Sequence, residues 1–84
     1  MDLTKFKGLL DEQNTWPEYY TFKFVIKTED KARVIALLDG FEISERASKN
    51  GKFTSISSRK IMSSSDEVVA VYEEVSKVEG VISL

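Results

Sequence analysis

The apolar residues of the segment YYTFKFVIK, residues 19–27, recur at every second position. The even-numbered residues from Tyr20 to Ile26 are aromatic or β-branched, whereas most of the residues between them are polar. Aromatic and β-branched residues at period two are typical of a strand that has one covered face and one wetter face. The pattern therefore predicts a strand here, packed against the core through its even-numbered residues.

Three other segments repeat their apolar residues at helical spacing. They cover about residues 2–13, 28–39 and 64–79, and a short final strand, VISL, follows the third. Their apolar stripes are Leu3, Phe6, Leu9 and Leu10; Val34, Ile35, Leu37 and Leu38; and Val68, Val71, Tyr72 and Val75. From residue 19 onward the order β-α-β-β-α-β predicts a ferredoxin-like α+β fold. We expect a four-stranded antiparallel sheet in the order 4-1-3-2, with two helices on one face.

The length of 84 residues allows a single domain. We expect residues 1–15 to form an N-terminal helical extension and residues 16–84 to form the ferredoxin-like core. Asp2 or Thr4 is the candidate N-cap of the first helix. No apolar run has the length of a signal peptide or a membrane span, so the sequence predicts a cytoplasmic protein.

The segment SKNGKFTSIS, residues 48–57, joins two further predicted strands. Its Asn50-Gly51 pair is a strong hairpin signal and predicts a two-residue type I′ turn, which needs positive φ at both residues. The segment has one glycine and continues into a strand, so it does not match a phosphate-binding loop. A turn centred here places Arg46 opposite Ser55 on the sheet.

The amino-acid composition argues against an enzyme. The chain has no histidine and no cysteine, so it lacks the commonest general base, a thiol nucleophile and the usual transition-metal ligands. Glu73 and Glu74 are adjacent and point about 100° apart on a helix, which suits neither acid-base catalysis nor a shared metal. We therefore predict no enzymatic activity, no metal and no cofactor.

The charges are distributed unevenly although the net charge is only −2. Residues 42–62 contain five cationic and two anionic side chains, whereas residues 63–84 contain one cationic and five anionic side chains. On the predicted hairpin, the basic and serine side chains share the sheet face that the helices leave uncovered. We expect this face to bind an acidic protein partner or a small anionic effector, and the alternative is a merely solvated surface. The candidate binding residues are Arg46, Ser48, Lys49, Lys52, Phe53, Ser55, Ser57 and Arg59.

Two residues of the second hairpin strand fit the alternation poorly. Ser58 and Lys60 are polar, but their positions place them on the helix side of a central strand. Lys60 can extend its stem past Phe41 toward water, whereas Ser58 needs a hydrogen-bond partner or a bulge.

The order of several short motifs resembles the YbeD-like family of small bacterial proteins of unknown function. These motifs are Trp16-Pro17, Phe22-Lys23, Ser48-x-x-Gly51-Lys52-Phe53-x-Ser55, Tyr72-Glu73-Glu74 and the ending Val81-x-x-Leu84. The chain departs from the family in lacking a glycine soon after the first strand. The resemblance implies a ferredoxin-like fold similar to the ACT regulatory domain, with no established catalytic residues.

These observations favour a non-enzymatic regulatory or binding module. An RNA-binding domain of the same topology is the alternative, but such domains stack bases on aromatics of the two central strands. Phe53 is the single aromatic residue that the pattern places on the open side of the third strand. An acylphosphatase-like hydrolase is a third reading, and it is disfavoured because KTEDKAR after the first strand has no glycine.

Overall fold

The computed structural model describes residues 3–84 and contains one antiparallel sheet with helices on one side. The elements are α1 (Leu3–Gln13), β1 (Glu18–Lys27), a 3-10 turn (Thr28–Asp30) that continues into α2 (Lys31–Ala36), β2 (Glu42–Ala47), β3 (Phe53–Met62), α3 (Ser65–Ser76) and β4 (Ile82–Ser83). The strand order is β2-β3-β1-β4. The predicted ferredoxin-like α+β fold, with an added N-terminal helix, is confirmed. The candidate cap Asp2 lies outside the described residues.

Strand β1 is an interior strand that lies between β3 and β4. It pairs with β3 from Glu18↔Met62 to Lys27↔Phe53, and with β4 at Phe24↔Ser83 and Val25↔Ile82. The alternation predicted from the sequence is present, because the even-numbered residues of β1 from 22 to 26 are buried and the odd-numbered residues are more exposed. One face of β1 therefore belongs to the core.

An aromatic cluster around Phe22 joins this face to the helices. The Phe22 ring centroid lies 4.8 Å from that of Tyr20, 5.1 Å from that of Tyr72 on α3 and 5.9 Å from that of Phe41. Phe6 on α1 contacts Tyr72 edge-to-face at 5.4 Å. Each such pair contributes about 0.5–1.5 kcal/mol beyond the area that it buries. The cluster thus links β1, α1, α3 and the segment before β2.

Helix α3 begins after Ser64, which is its N-cap. The Ser64 hydroxyl accepts a hydrogen bond from the Glu67 amide at 3.3 Å, and the Glu67 carboxylate accepts one from the amide of Ser63. The helix then buries Val68 and Val75 against the sheet. None of the helices in the described chain has the length and apolar character needed to span a membrane.

Helix α2 is shorter than the sequence predicts. Its α-helical part ends at Ala36, and the next two amides bond three residues back, from Leu37 to Val34 and from Leu38 to Ile35, each at 3.0 Å. Leu38 is buried with Val34, four residues earlier, whereas Leu37 is 42% exposed although the sequence predicted that it belongs to the apolar stripe.

Helix α1 packs on α3 through apolar residues, including Phe6 and Leu10, and through polar contacts. Leu10 is buried, and the Lys7 ammonium lies 2.7 Å from the Asp66 carboxylate on α3. Hydrogen bonds from the Ser65 hydroxyl and the Trp16 indole hold the pKa of Asp11 below its usual range. These contacts fix the added helix to the start of α3.

The turn of the β2–β3 hairpin differs from the prediction. Gly51 has φ +74°, but no other residue of this loop has positive φ, so the turn is not type I′. The Ser48 carbonyl accepts a hydrogen bond from the Gly51 amide at 2.9 Å, and the Ser48 amide bonds the Phe53 carbonyl at 2.7 Å. A four-residue loop therefore closes the hairpin. The predicted register survives, because both loops are centred on Asn50 and Gly51.

Ser58 and Lys60, the two polar residues on the helix side of β3, differ in their contacts. The Lys60 ammonium lies 5.2 Å from the centroid of the Phe41 ring, as its extended stem predicts. Ser58 is fully buried opposite Phe22 and Ile43, and its hydroxyl oxygen has no hydrogen-bond partner among the described residues. The pairing of β3 is continuous there, so the predicted bulge is absent.

We predict that Ser58→Ala stabilises the protein. The substitution removes a buried hydroxyl without a partner, which should raise the free energy of unfolding by about 1 kcal/mol. Ser57→Ala is the matched control, because Ser57 is on the same strand but faces the other way, and it should change stability by less than about 0.5 kcal/mol. Urea unfolding measures both variants. Lower stability of Ser58→Ala would show that the hydroxyl is satisfied.

We predict that Gly51→Val weakens the hairpin. A β-branched residue at φ +74° is strained, and we expect a loss of about 1–2 kcal/mol in the free energy of unfolding. Gly8→Ala in α1 is the control, because Gly8 has no atom within 4 Å of an added Cβ, and alanine favours helix. That variant should be at least as stable as the wild type. An equal loss in both variants would contradict the positive-φ argument.

We predict that Tyr72 makes the fold sensitive to alkali. Burial and a 3.3 Å hydrogen bond with the Tyr20 hydroxyl raise the pKa of Tyr72. Above about pH 10 the unfolded chain loses this proton while the folded chain retains it, so stability falls as the pH rises. Tyr72→Phe should flatten that fall in urea unfolding between pH 9 and 11, compared with Tyr19→Phe. Identical slopes would contradict the prediction.

Candidate functional site

The sheet face opposite the helices is the broad surface on which most of the candidate binding residues lie. We call it the open face. Residues on paired positions of neighbouring strands share a face, so the pairing defines its members. The open face consists of Tyr19, Thr21, Lys23, Val25 and Lys27 of β1; Glu42, Ser44 and Arg46 of β2; Phe53, Ser55, Ser57, Arg59 and Ile61 of β3; and Ile82 of β4.

The hairpin register places the predicted side chains as the sequence indicates. Arg46 pairs with Ser55, Ser44 with Ser57 and Glu42 with Arg59. Five of the candidate residues share the open face, namely Arg46, Phe53, Ser55, Ser57 and Arg59. The other three candidates, Ser48, Lys49 and Lys52, lie in the hairpin loop at the end of this face.

The loop residues differ in what they can offer a ligand. The Ser48 hydroxyl donates to the Asn50 side-chain oxygen at 3.0 Å and accepts from the Phe53 amide at 3.1 Å. It therefore holds the loop closed. Lys49 and Lys52 are exposed, and neither forms an ion pair within the described part of the chain. The two lysines are thus available to an anionic group.

Positive charge concentrates on the open face and the loop. Together they carry six cationic side chains, Lys23, Lys27, Arg46, Lys49, Lys52 and Arg59, and one anionic side chain, Glu42. Glu42 lies 3.9 Å from Arg59, and the other five cations have no acidic partner among residues 3–84. Helix α3 carries Asp66, Glu67, Glu73 and Glu74 on the opposite side of the molecule. The protein is therefore electrostatically two-sided.

Nine of the fourteen residues of the open face were missing from the predicted site, and three of these nine add aromatic or apolar surface. Tyr19 is 50% exposed, and the Arg59 guanidinium lies 3.9 Å from the centroid of its ring. Val25 lies on the same face and pairs with Ile82, which is 55% exposed. Tyr19 and Val25 could have been found from their odd positions in β1. Ile82 could not, because a strand of two residues has no readable alternation.

The open face contains shallow depressions rather than an enclosed pocket. One of about 240 Å³ lies between Thr21, Ser44 and Arg59, and another of about 210 Å³ lies between Val25, Arg46 and Phe53. A larger depression of about 410 Å³ lies where the loop meets the end of β1, between Lys27, Glu29, Lys52 and Phe53. In the described chain, no cluster of acidic side chains could hold a metal ion. The available chemistry is cation, hydroxyl and apolar contact.

Comparison with known proteins supports the fold and identifies the family. The solution structure of protein HP0495 from H. pylori matches this chain with a TM-score of 0.71 and 21% sequence identity, covering 89% of this chain and 92% of that chain. At this level of identity, the structural similarity shows a shared fold. No curated protein matches the chain. The family model described as "Protein of unknown function (DUF493)" matches residues 11–84. The chain therefore belongs to this family, which is the YbeD-like family that the motifs resemble.

Proposed function

We propose that this protein is a non-enzymatic binding module that docks an acidic protein partner on the open face. The observation that carries the proposal is the set of cations on this face and its loop that have no acidic partner in the described chain. Exposed cations beside an aromatic residue, such as Arg46 near Phe53, are the usual composition of a binding hot spot. The regulatory role that the ACT resemblance implies belongs to the same proposal.

The composition supports the non-enzymatic part of this proposal. Without histidine or cysteine, a reaction would have to use carboxylates, lysine, tyrosine or serine. The Ser48 hydroxyl is hydrogen-bonded within its own loop, and Ser58 is buried away from any ligand. Neither serine is placed beside a base, so binding fits the residues better than group transfer.

A small anionic effector is the second candidate, and one depression favours it. The space of about 410 Å³ between Lys27 and Lys52 falls within the range of about 300–1,000 Å³ that small-molecule sites occupy. Its two lysines would face an anionic group, and Phe53 would contact an apolar one. The protein partner remains the better fit because the cations extend over the whole open face rather than around this depression.

RNA binding is the alternative function that must be distinguished from docking of an acidic protein. Tyr19 and Phe53 both lie on the open face, but Phe53 pairs with Lys27, eight residues along β1 from Tyr19. At about 3.3 Å per residue the two rings are about 26 Å apart along the strand, so neighbouring bases cannot stack on both. The aromatic arrangement of an RNA-binding sheet is therefore not reproduced.

We predict that the triple variant Arg46→Glu, Lys52→Glu and Phe53→Ala loses its partners in a pull-down from native lysate. The matched control is Arg33→Glu, Lys77→Glu and Leu37→Ala, which changes two exposed cations and one exposed apolar residue on the helix side. Wild type and control should retain the same proteins at low salt, and fewer at moderate salt. Circular dichroism must first show that all three proteins fold.

Two outcomes would overturn the proposal. One is that all three proteins retain the same partners, or that none retains any, because the open face would then contribute nothing specific. The other is loss of the retained material after ribonuclease treatment of the lysate, which would favour RNA. Displacement of retained proteins by small polyanions would instead favour the anionic effector.

A further inference from the structure

An apolar patch on the open face is bordered by cations that have no partner. The patch consists of Val25, Phe53 and Ile82. Val25 pairs with Ile82, and Val25 and Phe53 line the same depression of about 210 Å³. Phe53 is 41% exposed and Ile82 is 55% exposed.

The border of the patch is formed by Lys23, Lys27 and Arg46. Lys23 and Lys27 flank Val25 on the same side of β1, and Arg46 lies across β3, beside Ser55. All three are exposed, and none forms an ion pair within residues 3–84. An apolar centre with a cationic border is complementary to an apolar surface flanked by carboxylates.

The backbone of the sheet restricts what can lie on this face. The amides and carbonyls of β1 and β3 lie in the plane of the sheet, where most of them bond neighbouring strands, so they offer nothing to a ligand above the sheet. An extended peptide on this face would bury its own backbone groups without partners, at a cost of about 1–3 kcal/mol for each group. A helix satisfies its backbone internally and carries no such cost.

The edges of the sheet provide less surface than the open face. On β2, Glu45 points to the helix side and lies 2.9 Å from the Lys31 ammonium, and an inward charge protects an edge strand from pairing. On the other edge, β4 is two residues long and pairs with β1 at Phe24 and Val25, which leaves the short stretch 18–22 of β1 as an edge. The open face spans β1, β2 and β3 and is the more extensive docking surface.

A second copy of this chain cannot supply the docked helix from its acidic side. The helix with the largest number of acidic residues is α3, and its apolar residues Val68, Val69 and Val75 are buried in the core of the same chain. The helix would have to leave the fold to present them. Helix α3 of a second copy is therefore excluded as the occupant.

We propose that the occupant of the open face is an amphipathic helix of a protein partner, with an apolar stripe that packs on Val25, Phe53 and Ile82. Aspartate or glutamate residues beside that stripe bind Lys23, Lys27 and Arg46. This inference rests on the proposed function and specifies the element that the face recognises.

Three synthetic peptides test the inference by NMR titration of the labelled protein. The first has leucines at helical spacing with glutamates on both sides of the stripe. The second has the same composition, but leucine and glutamate alternate, so that a strand and not a helix is amphipathic. The third is hexaglutamate. We expect the first peptide to bind at least about tenfold more tightly than the others and to shift the amides of Val25, Phe53 and Ile82.

Variants of the protein locate the binding of the first peptide. Phe53→Ser and Arg46→Glu should each weaken it at least about fivefold, because each removes one half of the complementary surface. Leu37→Ser and Arg33→Glu are the matched controls on α2, since Leu37 is 42% exposed and Arg33 is an exposed cation. Both controls should bind the peptide as the wild type does.

The outcomes separate this inference from the proposed function. If the alternating peptide binds as tightly as the helical one, the inference that the docked element is a helix is wrong, while the proposed docking of an acidic partner stands. If hexaglutamate binds equally well, the face recognises charge alone and the apolar patch has no role. If the helical peptide does not bind, or if the variants and controls bind it equally, the inference is overturned, and the pull-down alone decides the proposed function.

Discussion

The alternation of side chains along β1 is the constraint on which the rest of the molecule depends. Its even-numbered residues from 22 to 26 are buried, and β1 lies between β3 and β4, so the whole sheet must turn this face toward the helices. In a chain of 84 residues the helices form a single layer, which covers one face of the sheet. Burying Phe22 and Phe24 therefore leaves the odd-numbered residues of β1, and their neighbours on β2 and β3, as the open face.

The same constraint explains how the charges became separated. Acidic residues on α3 and basic residues on the hairpin lie on opposite sides of the sheet, so they cannot neutralise each other by direct contact. Three of the four ion pairs found between residues 3–84, including Lys7–Asp66 and Lys31–Glu45, involve residues of the helices. On the open face Glu42 alone approaches a cation, at 3.9 Å from Arg59. Such exposed pairs contribute about 0–1 kcal/mol each, so the charge separation costs the fold little and remains available for recognition.

The sequence predicted the strands and helices, which follow from strong periodicity, and the hairpin register, which follows from one local signal. The hairpin register followed from Asn50-Gly51, because every loop centred there gives the same pairing. The turn type did not follow, because the conformation of Asn50 depends on side-chain bonds such as that from the Lys52 amide to its side-chain oxygen at 3.0 Å. The exposure of Leu37 and the face of Ile82 were also beyond prediction. Nothing in the pattern separates Leu37 from the buried Leu38 beside it, and the face of Ile82 depends on pairing with β1.

The unpartnered polar atom of Ser58 shows where the helical layer and the sheet fit least well. The hydroxyl lies beneath the aromatic cluster, between Phe22 and Ile43, and the short α2 supplies no donor or acceptor to it. The open face shows the opposite condition, because its cations are exposed and their cost without partners is small. A buried orphan group lowers stability, whereas exposed unpaired cations lower it little and can bind an external partner. Selection for stability would act against the first arrangement and leave the second in place. Under our proposal, the cationic border around Val25 and Phe53 serves recognition, because folding neither requires it nor is much weakened by it.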